Sequence, residues 1–101
     1  MRHDILVNQL NRFYQLDINN IELYRDMIGR VYFLQSQNKR YVFKIYRNFK
    51  KEDALQTIDI LSYLKAKSYP VVSVVKTVQN KSNIFVDCSD GSCVGVSYPH
   101  I

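Results

Sequence analysis

Residues 40–46 read RYVFKIY, a run of β-forming residues with one lysine in its interior. As a strand, this run places Tyr41, Phe43 and Ile45 on one face and Val42, Lys44 and Tyr46 on the other. Lys44 therefore has an apolar residue on either side of it. That is unusual on a central strand, because an ammonium buried without a partner is costly. One reading is an ammonium held in a fixed place for a ligand. The other is a surface lysine that guards a sheet against edge pairing.

Upstream, residues 30–35 read RVYFLQ and residues 36–39 read SQNK. β-Branched and aromatic residues followed by a polar turn make the two runs an antiparallel hairpin. Residues 21–26 alternate and suggest a short preceding strand, set off by the turn formers DINN at 17–20. Before that, Ile5, Leu6, Leu10, Phe13 and Tyr14 recur at helical spacing over residues 4–14.

Downstream, residues 50–67 read as a second helix. Ala54, Ile58, Leu61 and Leu64 form its stripe. Glu52 and Asp53 in the first turn, with Lys65 and Lys67 in the last, suit the helix dipole. Tyr69-Pro70 ends it. Residues 71–78 (VVSVVKTV) have strand composition, and residues 84–87 and 94–98 form two further strands. The latter are joined by CSDGSC, with Asp90-Gly91 at the tip. The expected fold is α+β: an antiparallel sheet of about five strands, an N-terminal helix, and one helix between strands 3 and 4, with the helices on one side of the sheet.

Composition narrows the function. The chain has 101 residues, enough for one domain, and its net charge is +5. The basic excess favours anionic partners, but only residues 47–51 form a dense cluster, and a solvated surface explains the rest. The two cysteines, Cys88 and Cys93, lack the companions a zinc site needs and read as reduced thiols. No N-terminal apolar leader and no run of about 18 apolar residues is present, so a cytoplasmic location is expected. His3 and His100 sit at the termini, and no nucleophile stands near a base.

In their order, these segments resemble the N-terminal lobe of the aminoglycoside phosphotransferase and choline-kinase-like family, a protein-kinase-like fold that includes homoserine-kinase-like and spore-coat-type members. The resemblance rests on Ile28-Gly29-Arg30-Val31-Tyr32, on Arg40 to Arg47, on Ile60-Leu61-Ser62-Tyr63-Leu64, and on Tyr69-Pro70-Val71-Val72. It implies that Lys44 contacts the α/β-phosphates of ATP. It implies that residues 27–35 cover the nucleotide around Gly29. Ile28, Val31 and Val42 would roof the adenine, and backbone groups of residues 94–101, Ser97 and Tyr98 among them, would bind its edge. Core packing explains the three apolar residues equally well, and an ordinary turn explains the glycine.

The sequence departs from the family pattern in two places. The helix glutamate that pairs with the strand lysine should fall near Thr57, between Gln56 and Ile58, where there is no carboxylate. Asp53 or Gln56 could stand in for it, or the pair is absent; Asp59 should point elsewhere. The H-G-D-x4-N-like catalytic loop is also missing. The expectation is therefore a single kinase-like N-lobe over residues 1–101 without its C-terminal lobe, holding no catalytic residue and no metal ligand, and inactive alone. Its cofactors would be ATP and, only with the second lobe, Mg2+. Its partners would be a nucleotide and either the missing lobe or a second copy at the docking face, with no membrane. A stand-alone interaction or nucleic-acid-binding module is the alternative; no RNP-like motif, GXXG loop or arginine stripe favours it.

Overall fold

The computed structural model describes residues 3–26, 29–47, 50–71, 73–88 and 91–99. Along the chain the elements are α1 (His3–Tyr14), β1 (Ile18–Asp26), β2 (Gly29–Ser36), β3 (Lys39–Tyr46), α2 (Lys51–Ala66), β4 (Ile84–Cys88) and β5 (Gly91–Pro99). All five strands form one antiparallel sheet in the order β1-β2-β3-β5-β4. RYVFKIY therefore occupies the middle strand, paired on both edges.

The alternation within β3 organises the molecule. Phe43 and Ile45 are buried with Tyr32 and Leu34 of β2, and α1 closes this layer with Leu6, Leu10 and Tyr14. On the other face Val94 and Val96 of β5 meet Ala54 and Ile58 of α2. The helices thus cover opposite faces, which corrects the expectation that both lie on one side. The cause is visible in β5, where residues from Cys93 to Ser97 are buried without a break. A strand buried on both faces needs cover on both.

Residues 71–78 are the second correction. They form no strand, although their side chains do alternate: Val75 packs toward the α1 layer and Val74 toward the α2 layer. The backbone leaves after a single bond to the sheet, Val75 N–H to Ser97 O at 2.8 Å. Beyond it, Thr77 N–H bonds Lys81 O and Val78 N–H bonds Phe13 O. β-Branched content here reports burial on two sides, not a ladder.

The third correction is at residues 17–20, expected as a turn. Gln15, at φ 50°, supplies the reversal after α1. Asn11 Oδ1 accepts the Ile18 N–H and Ser36 Oγ the Asp17 N–H, each at 2.9 Å. With these amides satisfied the strand starts at Ile18, ahead of the predicted Ile21. The helix over 51–66 stops before Tyr69-Pro70, at Ser68, whose φ is 67°. The last hairpin closes at the pair Cys88↔Gly91; Asp90, expected at its tip, lies outside the described residues.

Gly95 has a packing role. A Cβ there would stand 2.5 Å from Cζ of Phe43. Only a residue without a side chain lets that ring cross β5.

Candidate functional site

The face of the sheet under α2 carries the candidate site. Register places Val31 of β2 opposite Lys44 and Phe33 opposite Val42. Across the other edge, Val96 of β5 faces Lys44 and Tyr98 faces Val42. Lys44, Val31, Val42 and Tyr98 therefore share one face, as the alternation of β3 required.

Between this face and the start of α2 lies a cleft of about 270 Å³. Gly29, Lys44 and Tyr46 line it from the sheet, and Asp53, Ala54 and Thr57 line it from the helix. Arg47 and Lys50 stand at the same cleft. Arg47 also reaches Asp26 at 3.5 Å, and Arg30 reaches the same carboxylate at 3.4 Å.

Lys44 has an aromatic neighbour in place of an acidic one. Its Nζ lies 5.1 Å from the centroid of the Tyr46 ring. Among the described residues no carboxylate pairs with it. Asp53 lines the cleft, but its carboxylate pairs with Lys50 at 3.6 Å and is well exposed. Gln56 is exposed and does not line the cleft. Thr57, where the family pattern calls for an acid, donates its hydroxyl to Asp53 O at 2.9 Å.

Gly29 has a reason beyond the cleft: a Cβ there would sit 2.5 Å from Ile45 O. The β3 backbone comes that close, so glycine is needed for the sheet itself. Ser97 is fully buried on the opposite face. Its carbonyl accepts from Val75. Met27, Ile28 and His100 lie outside the described residues.

Sequence reasoning assigned no role to Tyr46. Its hydroxyl lies 3.3 Å from that of Tyr98. The signal was available, since Tyr46 follows Lys44 by one strand period on the same face. Burial raises the Tyr98 hydroxyl well above its ordinary 10.0, and the Tyr46 hydroxyl raises it further. Burial also raises that of Tyr14, partly offset by the neighbouring Ser97 hydroxyl. Both phenols hold their protons more tightly in the folded chain than in the unfolded one. The stability this contributes is fully present below pH 10.0 and is lost as pH rises from there toward the raised native values. Urea midpoints at about pH 9 and about pH 11 should therefore fall, and fall less in Tyr98→Phe. The difference should stay below the one-proton slope of about 1.4 kcal/mol per pH unit, because Tyr98 keeps partial contact with water.

No protein-family profile matches the chain, and no curated protein does. Solved structures do. Spectinomycin phosphotransferase APH(9)-Ia, in complex with ADP and spectinomycin, matches with a TM-score of 0.80 at 19% identity over 100% of this chain. Amicoumacin kinase hAmiN, in complex with AMP-PNP and Ca2+, matches with a TM-score of 0.80 at 16% identity, again over 100% of this chain. A microcompartment-associated aminopropanol kinase matches with a TM-score of 0.73 at 14% identity over 97% of it. The chain has a kinase-like N-lobe fold. It spans 30%, 31% and 31% of those chains. At such identities the likeness establishes the fold, which is the α+β arrangement expected from the order of segments.

Among the described residues no helix is long and apolar enough to cross a membrane. No group of three or more His, Cys, Asp or Glu side chains among them could hold a metal ion.

Proposed function

We propose that this chain is the nucleotide-binding lobe of an ATP-dependent phosphotransferase whose acceptor is a hydroxyl on a small molecule. One observation carries the reading. Lys44 lines a cleft beneath the sheet with its ammonium unmatched by any carboxylate among the described residues, on the same face as Val31 and Val42. A cation fixed on a rigid central strand suits a phosphate oxygen. The apolar pair beside it suits the flat face of a base, and Tyr98 sits on the β5 side of the same surface.

The structural neighbours support the assignment. Two of them hold ADP or AMP-PNP, and all are named as kinases or phosphotransferases of small molecules. Gly29 and the backbone around Ser97 and Tyr98 complete the proposed nucleotide contacts. Phosphoryl transfer needs a group that positions the acceptor and carboxylates or amides that hold Mg2+. The described residues offer no such cluster. These groups belong, in this proposal, to a C-terminal lobe that meets the cleft, and this lobe alone binds nucleotide without turning it over. A cytoplasmic location fits an ATP-using enzyme and is part of the proposal.

The test is a titration of the isotopically labelled full chain with Mg-AMP-PNP, followed by amide chemical shifts. Saturable changes should cluster at Val31, Val42, Lys44 and Tyr98. An absence of change there up to millimolar nucleotide overturns the reading. A parallel polarisation titration with a single-stranded oligonucleotide should stay flat; tight binding that weakens steeply with salt supports the nucleic-acid alternative instead.

A further inference from the structure

We infer that Tyr46 is the positioning residue for Lys44, its ring holding the ammonium in the role a helix carboxylate would otherwise fill; this rests on the nucleotide-site reading above. The helix wall of the cleft offers Lys44 no anion. Thr57 spends its hydroxyl proton on the Asp53 carbonyl, and the Asp53 carboxylate pairs with Lys50. The sheet offers an aromatic face instead. At 5.1 Å from the ring centroid, Nζ is inside the range of about 6 Å over which a ring quadrupole attracts a cation.

That ring is held in place. Tyr46 packs against the cluster of Ala54, Ile58, Val94 and Val96. Register sets Tyr46 opposite Val94 and Tyr98 opposite Val42, so the phenols start from the two sides of the Lys44↔Val96 pair. They lean toward each other and meet hydroxyl to hydroxyl at 3.3 Å. The bridge they form runs past the lysine and gives it a wall that does not depend on α2.

The chemistry of the two supports differs. A carboxylate at ion-pair distance neutralises much of the ammonium's charge. An aromatic face orients the ammonium and leaves its full charge for an incoming phosphate. The ring acts through Lys44 and needs no contact with nucleotide.

The experiment compares the wild-type full chain with Tyr46→Phe and Tyr46→Leu, each checked for a wild-type circular dichroism spectrum. The first readout needs no ligand: the Lys44 ε-methylene protons should be shifted upfield by the ring, equally in Tyr46→Phe, and return to ordinary values in Tyr46→Leu. The second is Mg-AMP-PNP affinity, expected within about twofold of wild type for Tyr46→Phe and weaker by about three- to fivefold for Tyr46→Leu. An unshifted methylene in the wild-type chain overturns the inference, and so does an equal loss of affinity in both variants, which would assign the role to the hydroxyl. If the wild-type chain binds no nucleotide, the functional reading fails, while the ring-current shift still decides whether Tyr46 holds Lys44.

Discussion

Replacing Phe43 by alanine should lower the unfolding free energy by about 3–5 kcal/mol, read as a fall in the urea midpoint with an unchanged slope. Phe43 is fully buried on the middle strand, in the layer closed by α1. Its ring crosses the backbone of β5 in the space left by Gly95. Truncation removes the ring's transfer energy and leaves a void that flanking strands cannot fill without breaking their ladders. A domain of this size has about 5–15 kcal/mol in total, so the variant should sit close to unfolding at ambient temperature. The reciprocal change, Gly95→Ala, overfills the same place and should cost about 1–3 kcal/mol. The two sites touch, so the costs should not add: with Phe43→Leu as partner, the double variant should lose less than the sum of the singles. A loss below about 1 kcal/mol for Phe43→Ala would mean that the ring is replaceable and that another contact holds α1 to the sheet.

The part of the fold legible in the sequence is the part governed by local periodicity. Alternation in residues 40–46 assigned Phe43 and Ile45 to one face and Lys44 to the other, and the register agrees. The stripe Ala54, Ile58 became the buried side of α2. What was hidden depends on long-range partners. Residues 71–78 alternate like a strand because they are wedged between two apolar layers, and only the position of β5 decides that a single hydrogen bond forms. The side on which each helix lands is set by which face of β5 is left open, and no local pattern reports it. The strand start at Ile18 depends on caps from Asn11 and Ser36, the second of them distant in sequence. At the site, the lysine and its apolar neighbours could be read from spacing. The missing acid could be read as missing, but not what replaced it, because a ring turned toward an ammonium is a matter of rotamers and packing.

Substituting Lys44 by methionine should weaken Mg-AMP-PNP binding by at least about tenfold while leaving the urea midpoint unchanged or slightly raised. The two halves of this expectation have one cause. Methionine keeps the unbranched stem that runs along Val42 and Tyr46 but carries no charge. The folded chain has no carboxylate partner for the ammonium among its described residues, so removing the charge breaks no ion pair and relieves some desolvation. Bound phosphate, by contrast, loses a charge-assisted hydrogen bond in a partly enclosed cleft. A structural lysine guarding the sheet would behave the other way: its loss would promote association of the chain and leave nucleotide affinity untouched. Lys44→Arg separates charge from geometry. The guanidinium is longer and planar and can stack on Tyr46, so it keeps the sign of the interaction but moves the charge away from where the strand had set it. Its affinity should fall between wild type and Lys44→Met. If Lys44→Met binds nucleotide as tightly as the wild-type chain, the phosphate contact is elsewhere, and Arg47 or Lys50 at the same cleft becomes the residue to test.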